Sequence, residues 1–487
     1  MQVAFLVLAH VPYLRRAGRQ PVGEDALHRL IAQGLLPLLE LLGDLHRSGL
    51  NPRVALACSP LLIEQLADPV VQKHFVLWMN DQLARHEAEL TAAEQAGDHH
   101  GTYLGRFYLE WGRQRLRSFE ERYQRNLPKK IRDLAARGVV EPLAGAASHA
   151  YLPLLGCEES ARAQIEYGVL HTTRQLRRPE GLWLPGAGWR PGIELAAADV
   201  GLRYVVADPS SLPPGEPPRP VWLVPRRIAA IFPDEVLARH IWSEHLGYPG
   251  DPLYRDPSDP AGMRARSGAP YDPYHALRRA QEHANHFATA LVAEAAQHKP
   301  GDLLLMLLDA GQIGPYWVEG STWLQAVLTH CATHGALRLT NPGAYLRAHR
   351  PRDTLTLQAG SWSVGGHGGW QGGAAETYWA ALHAAEQQMV TLASAHPGAR
   401  GDQERVLNQA ARELMLAQTS DWPALLSAGA LGDDETAPWR SYLTRFAQLA
   451  ALVGQEHLSP NDRFLLEQLE EMDGAFPNLN YRSFARS

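Results

Sequence analysis

The stretch that most constrains the fold is Gly301–Gly320, GDLLLMLLDAGQIGPYWVEG. Leu303 to Leu308 form an unbroken apolar run of six residues, with no polar alternation. A short run of this kind favours a strand buried on both faces, as in a parallel sheet covered by helices. Asp309 ends the run, and α/β barrels place their functional side chains at the carboxyl ends of such strands. A carboxylate there can also simply cap the following turn, so both interpretations stay open.

Other short apolar segments predict further strands, and most of them are followed by a helical pattern. These segments are Gln2–Ala9, Arg53–Cys58, Val139–Ala147, Leu182–Pro185, Arg203–Ala207 and Leu337–Thr340. Together with Leu303–Leu308 they give about seven strand-then-helix units, the alternation expected of a parallel α/β barrel.

Two regions depart from this alternation. Residues 70–132 are rich in charged, amphipathic helical segments, which predicts a helical insertion between two barrel strands. From Thr377 onward the chain shows consecutive amphipathic helices and no strand pattern. We therefore predict a first barrel part at 1–69, the insertion at 70–132, a second barrel part at 133–376 and a helical C-terminal domain at 377–487.

Composition narrows the partners and the compartment. The 487-residue chain carries a net charge of −6 with well-mixed signs, which argues against a nucleic-acid partner. No run approaches the roughly 20 apolar residues of a membrane span. Cys58, Cys157 and Cys331 lie far apart without metal-ligand spacing, a pattern typical of thiols in a reducing compartment such as the cytoplasm. The glycine-rich segment 360–373 lacks the strand-flanked GxGxxG of a dinucleotide site.

Several motifs, in order, resemble glycoside hydrolase family 57 and specifically its α-1,4-glucan branching-enzyme subgroup. The first, second and fifth family motifs resemble LVLAHVPY (Leu6–Tyr13), ASHAYLPLLG (Ala147–Gly156) and SWSVGGHGGW (Ser361–Trp370). The third and fourth fall on LWLPGAGWRPG (Leu182–Gly192) and LDAGQIGPYWVEG (Leu308–Gly320). The subgroup's C-terminal domain resembles QAARELMLAQTSDWP (Gln409–Pro423) and FPNLNYRSF (Phe476–Phe484).

This resemblance implies an incomplete (β/α)7 TIM-like barrel with a helical insertion and an α-helical C-terminal domain. It implies an α-glucan partner, such as glycogen, amylose or maltooligosaccharides, and it implies no metal and no organic cofactor. The implied reaction is a retaining double displacement, in which a glutamate attacks the sugar and an aspartate serves as acid and base. The two carboxyl groups then lie about 5–5.5 Å apart.

The chain departs from the family at the nucleophile. The resemblance places the attacking glutamate at Gly186, whereas the acid/base position keeps its carboxylate as Asp309. Glycine cannot form a glycosyl-enzyme bond. Glu194 and Glu180 are the nearby carboxylates, and either would reach the site only if the loop were rebuilt. The fourth motif has also lost its glutamate and histidine, within residues 311–317.

Three hypotheses follow. The first is a catalytically impaired family member, a pseudoenzyme that still binds α-glucan. The second is an active branching enzyme or α-amylase with a relocated nucleophile. The third is a non-enzymatic scaffold in glycogen metabolism.

The same resemblance suggests which side chains meet the sugar. His10 and His149 would hydrogen-bond to hydroxyl groups, although His10 fits a structural role equally well and His149 could instead brace Asp309. Aromatic rings would stack on glucose faces. The aromatic candidates are Trp183, Trp242, Tyr316, Trp317, Trp362 and Trp370. Trp183 and Trp362 are also compatible with the barrel core.

Overall fold

The computed structural model describes residues 1–15, 23–216, 221–225, 228–243, 247–299, 301–363, 365–432, 437–455 and 457–486. Within these ranges the strands are β1 Gln2–Ala9, β2 Val54–Cys58, β3 Val140–Pro142, β4 Gly181–Trp183, β5 Tyr204–Val206, β6 Val221–Val224, β7 Ile228–Ile231, β8 Leu303–Asp309 and β9 Arg338–Thr340.

The helices of the first 348 residues surround these strands. They are α1 Glu24–Arg29, α2 Leu36–Arg47, α3 Pro60–Ala67, α4 Pro69–Ala96, α5 His99–Arg117, α6 Leu127–Ala136, α7 Glu158–Gln175, α8 Ile193–Asp199, α9 Glu235–Trp242, α10 Pro273–Ala295, α11 Gly320–Thr333 and α12 Pro342–Ala348. The remaining helices are α13 Ala375–Ala395, α14 Asp402–Ala417, α15 Asp421–Ser427, α16 Pro438–Leu452 and α17 Pro460–Met472.

The strands form one curled, largely parallel sheet. One part has the order β3-β2-β1-β8 and the other β4-β5-β7-β6. Ala144, just after β3, joins them, because its backbone exchanges hydrogen bonds with Gly181 and Trp183 of β4. Strand β6 is antiparallel to β7, and β9 pairs in parallel with Gln2–Ala4 of β1. The predicted fold class, an incomplete (β/α)7 TIM-like barrel with a helical C-terminal domain, is confirmed.

Strand β8 is buried on both faces, as its apolar run predicts. Leu305 and Leu307 pack inside the barrel, whereas Met306 and Leu308 pack against the surrounding helices. Each such fully buried side chain contributes about 1.5–3 kcal/mol of hydrophobic free energy. The register pairs Leu8 of β1 with Asp309, so Asp309 emerges beside the end of β1.

Short polar side chains set where many helices begin. Ser59, Asp68, Asp98, Asp234 and Asp272 each accept a hydrogen bond from a backbone N–H group in the first turn of the following helix. Such N-caps satisfy backbone donors that have no partner within the helix. Because Ser59 directly follows β2, its cap fixes the turn from that strand into α3.

Two sets of helices stand apart from the barrel alternation. α4 and α5 lie between β2 and β3 and pack against each other as a hairpin that turns at Gly97. Helices α13 to α17 follow the barrel, and their apolar side chains share a cluster with residues of the α7 region. The domain boundaries given above stay predictions. Among the helices of the described residues, none is both long and apolar enough to cross a lipid bilayer.

Two features of the sheet differ from the sequence prediction. Strands β6 and β7 were not predicted, because each has only four residues and the pair forms a hairpin instead of alternating with helices. The predicted strand Val139–Ala147 shortens to Val140–Pro142, after which Leu143 still donates to Leu56 of β2 and Ala144 turns to pair with β4. Part of the proline-rich segment 210–220 and of the loop 243–256 lies outside the described residues.

Candidate functional site

The candidate site lies at the carboxyl end of the barrel strands. His10 follows β1, Ser59 follows β2, Asp208 comes shortly after β5, and Asp309 is the last residue of β8. Gly186 lies three residues after β4. Since parallel strands end at the same edge, these side chains converge there.

His10 is held by two side chains from different parts of the chain. Its Nδ1 lies 2.7 Å from Ser59 Oγ, and its Nε2 lies 2.8 Å from Asp421 Oδ2. Burial raises the pKa of Asp421, but the charge of His10 and its hydrogen bond outweigh this and leave the pKa below its ordinary value. Asp421 therefore accepts a hydrogen bond from His10 as a carboxylate, and both ring nitrogens of His10 have protein partners.

His149 stacks on His10. The two ring centroids lie 3.5 Å apart, with 17° between the ring planes. Burial, together with the nearby His10, holds the pKa of His149 well below its ordinary value, so its ring stays neutral. His149 has a φ of 62°, and its Nδ1 lies 3.0 Å from Ser420 Oγ.

These side chains include one group that could hold a metal ion. One ligand atom each of His10, His149 and Asp421 lies within 4.8 Å of the others. A bound metal lies close to the plane of each imidazole that coordinates it, and the two stacked rings present no shared in-plane position. A metal would also have to break the hydrogen bond from His10 to Asp421, so this arrangement suits a hydrogen-bonded cluster better than a metal site.

The C-terminal helices reach the site through Ser420 and Asp421. A chain of buried amides and a carboxylate runs beneath them. Gln164 donates from Nε2 to Ser148 Oγ at 2.9 Å and to Gln418 Oε1 at 2.7 Å. Gln418 in turn donates to Glu386 Oε1 at 2.6 Å. Polar groups this deeply buried stabilise a structure only when they are paired, so this chain fixes how α14 meets the barrel.

Gly186 lies directly beneath an indole ring. Its φ of 63° and ψ of 17° place it in the left-handed region. A Cβ atom added there would lie 2.2 Å from Trp370 Cη2. Trp370 stacks on Tyr151 with centroids 3.9 Å apart and 14° between planes, and Tyr151 Oη lies 2.8 Å from His367 Nδ1. The space that a side chain at position 186 would need is filled by this ring.

Asp309 both caps a turn and faces the site. Its Oδ1 accepts from the backbone N–H groups of Gly311 at 2.8 Å and Gln312 at 3.1 Å. Burial raises its pKa, and these two hydrogen bonds and the charge of His10 oppose the rise only in part. A raised pKa keeps the carboxyl group protonated to higher pH, as a general acid requires.

Three tryptophans form an aromatic wall beside the strand ends. Trp362 is 46% exposed. Its ring centroid lies 5.5 Å from that of Trp183 and 6.0 Å from that of Trp242. Trp183 is buried at 4% exposure, and Trp242 donates its indole N–H to the carbonyl oxygen of Leu307. Of the three rings, Trp362 offers the most surface to a ligand.

The structure does not bring two of the predicted aromatic residues into this wall. Trp317 has no exposed surface and packs among the helices outside the barrel, 5.4 Å from Tyr254 and 5.5 Å from Trp323 between ring centroids. Tyr316 is half-buried, and the guanidinium of Arg266 covers its ring at 4.5 Å. We expected both to line the site because they follow Asp309 closely, but the π-helical turn Gln312–Tyr316 directs the chain away.

The two carboxylates nearest Gly186 in sequence are committed elsewhere. Glu194 Oε2 accepts from the backbone N–H of Gly192 at 2.9 Å, at the start of α8. Glu180 pairs with Arg347 and Arg203, and it precedes β4, at the opposite end of the barrel from Gly186.

Sequence reasoning missed Asp421, Ser59 and Tyr151. Asp421 lies 411 positions from its partner His10. The available signal was the polar TSDWP segment, in which a serine and an aspartate precede a tryptophan inside an otherwise apolar helical region. Ser59 was visible only as a strand-terminal residue before a proline.

Two regions of this chain match models of known protein families. Residues 4–358 match the glycosyl hydrolase family 57, and residues 381–484 match the 1,4-alpha-glucan branching enzyme C-terminal domain. A 1,4-alpha-glucan branching enzyme of Thermococcus kodakarensis is 29% identical over 97% of this chain and 77% of the relative.

Two solved structures are similar over the whole length. A family 57 branching enzyme of Pyrococcus horikoshii has a TM-score of 0.90 and 27% identity, covering 100% of this chain and 97% of that one. A family 57 branching enzyme of Thermococcus kodakaraensis, solved with glucose, has a TM-score of 0.87 and 27% identity, covering 100% and 96%. Because the family model matches residues 4–358 and the branching-enzyme C-terminal model matches residues 381–484, this chain belongs to glycosyl hydrolase family 57 and is of the branching-enzyme type.

Proposed function

We propose that this protein binds α-1,4-glucan at the carboxyl end of its barrel and does not perform the retaining double displacement. The observation that carries this proposal is Gly186, which supplies no nucleophile and lies beneath the Trp370 ring. Trp362, flanked by Trp183 and Trp242, supports the binding half of the proposal, since an exposed indole matches the apolar face of glucose. The matched branching enzymes support α-glucan as the ligand class.

Loss of the nucleophile should reduce turnover by several orders of magnitude, because the covalent route is removed outright. The other carboxylates offer no obvious replacement, since Glu194 and Glu180 are held by their own partners. His10 is poorly suited to act as a base for direct attack by water, because both its ring nitrogens already have protein partners.

A second candidate function is a working branching enzyme or α-amylase with a relocated nucleophile. Asp309 favours it, because its pKa is raised as that of a catalytic acid would be. This candidate requires a carboxylate to reach the sugar from another loop. A scaffold role without sugar binding is the third possibility that the test must separate.

The three unpaired cysteines are consistent with a cytoplasmic location, which we also propose.

The test combines binding and turnover on amylose. We expect retarded migration of the wild type in amylose-containing native gels, with neither new α-1,6 linkages nor new reducing ends after prolonged incubation. Asp309→Asn should leave both results unchanged. Branches or reducing ends made by the wild type and abolished by Asp309→Asn would establish the second candidate. Unretarded migration would favour the scaffold.

A matched pair of aromatic variants locates the binding. Trp362→Ala should weaken amylose binding by more than tenfold, because it removes the most exposed ring of the wall. Phe464→Ala, which removes a 64%-exposed ring on α17, is the control and should bind as the wild type does. If the two variants bind amylose with equal affinity, the three tryptophans of the wall are not part of the binding site.

A further inference from the structure

A large cavity lies away from the strand ends, against the helical hairpin. It has a volume of about 440 Å³ and is bounded by α4, α5, the start of α1 and the turn 255–262. The size falls in the range typical of small-molecule sites. Among the described residues, its lining contains none of the side chains predicted or found at the candidate site above.

The cavity has an aromatic floor. Trp78 of α4 and Phe107 and Trp111 of α5 are half-buried and line it. Trp78 is backed by Phe75, with ring centroids 6.2 Å apart. Tyr108 is fixed by a hydrogen bond of 2.6 Å to the carbonyl oxygen of Gly262. The rings are therefore held in place by packing and hydrogen bonding before any ligand arrives.

The rim carries charges of both signs. Asp25, Arg29, Asp81 and Arg85 line the cavity, and none of them has a hydrogen-bond or ion-pair partner among the described residues. Arg255 and Asp259 also line the cavity, so three acidic and three basic groups leave little net charge, which disfavours a phosphate or a cation as ligand. They instead supply both acceptors and donors for hydroxyl groups. A neutral polyhydroxylated ring with an apolar face fits this combination of floor and rim.

We propose that this cavity is a second glucosyl-binding site, which holds one or two sugar units of an α-glucan on the helical hairpin. The need for a neutral sugar follows from the cavity itself, whereas the choice of α-glucan rests on the proposed function. When one segment of a long glucan is bound at either site, the rest of the same chain is held at a high effective concentration near the other site. Long chains are then retained far better than short ones.

The experiment counts sites with a ligand too short to bridge them. Equilibrium dialysis with radiolabelled maltotriose should give two molecules bound per wild-type protein. Trp111→Ala and Trp362→Ala should each bind one, and the double variant none. In amylose gels, each single variant should lose more than tenfold in affinity, because bridging is lost.

A rim variant guards against misfolding of Trp111→Ala. Asp81→Ala combined with Arg85→Ala removes two exposed charges and should reduce maltotriose binding from two sites to one. Arg106→Ala, on the same hairpin but ion-paired to Glu94 outside the cavity, is its control and should keep two sites. The proposal is overturned if neither the Trp111 variant nor the rim variant changes the count.

The outcomes separate this inference from the proposed function. If Trp362→Ala alone abolishes all binding, the strand-end site stands and the cavity proposal falls. If only the cavity variants reduce binding, the cavity site stands and the strand-end site falls. If the wild type binds no maltotriose, both fall.

Discussion

The backbone at Gly186 disfavours the glutamate that the family resemblance implies at this position. A non-glycine residue in the left-handed region costs about 1–2 kcal/mol, and the added Cβ also displaces the Trp370 ring. We therefore expect Gly186→Glu to lower the melting temperature and to remain inactive on amylose. Gly335→Glu, at a glycine whose added Cβ would meet nothing within 4 Å, should melt close to the wild type.

Removal of the Trp370 ring should relieve its clash with a side chain at position 186. Trp370→Ala combined with Gly186→Glu should be more stable than the sum of the two single changes predicts, measured as a double-mutant cycle in urea. If Gly186→Glu alone forms branches and is as stable as the wild type, Trp370 is not fixed over position 186. The glycine at the position where the family resemblance implies a glutamate could be read from the sequence. The ring of Trp370 above it could not, because Trp370 lies 184 positions away in a glycine-rich segment.

Among the strands, β3 carries a carboxylate at the amino end of the barrel, opposite the candidate site. Glu141 accepts hydrogen bonds from Tyr204 Oη at 2.9 Å and from the backbone N–H of Gly343. Burial raises its pKa to about 7, aided by Glu180 and opposed by Arg347 and the two hydrogen bonds. The folded state binds this proton more tightly than the unfolded state does. The contribution of Glu141 to the free energy of unfolding therefore falls as pH rises from about 4.5 to 7.

Glu141→Gln removes that cost. At 1.36 kcal/mol per pKa unit, its unfolding free energy relative to the wild type should increase by about 3 kcal/mol between pH 4.5 and pH 8. Urea unfolding of both proteins across this range measures the difference, in which other titrating groups cancel. Glu121→Gln, at an exposed glutamate, is the matched control for removal of one carboxylate. If the difference between Glu141→Gln and the wild type does not change with pH, the pKa of Glu141 is not raised by folding.

The long, strongly patterned elements were predictable and the short ones were not. β1 and β8 follow the sequence prediction closely because their apolar runs are unambiguous. β6 and β7 escaped because four residues give too little pattern to separate a strand from a connection. The aromatic residues after Asp309 were misplaced for a related reason, since the π-helical turn Gln312–Tyr316 has no clear sequence signal.

Across the whole molecule, the barrel and the C-terminal helices meet through buried polar contacts as well as apolar packing. Gln418 accepts from Gln164 and donates to Glu386, and all three have no exposed surface. Gln418→Leu would leave one donor hydrogen of Gln164 and one carboxylate oxygen of Glu386 without this partner, and each buried unpaired group costs about 1–3 kcal/mol. We expect a loss of about 2–4 kcal/mol in unfolding free energy, measured by urea denaturation.

A leucine on the exposed face of α13 provides the comparison. Gln387→Leu replaces the same residue type at an exposed position and should change stability by less than about 0.5 kcal/mol. If both substitutions lower the free energy of unfolding equally little, the amide chain does not hold the barrel and the C-terminal helices together. Which amides would pair could not be foreseen from the sequence, because Gln164 and Gln418 lie 254 positions apart.

The pairing of β1 has a consequence for how the protein is made. β2 follows β1 by about 45 residues, but β8, which covers the other edge of β1, comes about 300 residues after β1 in the chain and leaves the ribosome that much later. At about 5–20 residues per second, that edge waits about 15–60 s for its partner. An open apolar edge such as QVAFLVLA is a template for aggregation. We therefore expect chaperones that cover this edge during translation to raise the yield of folded protein, and slower synthesis to lengthen the time for which they are needed.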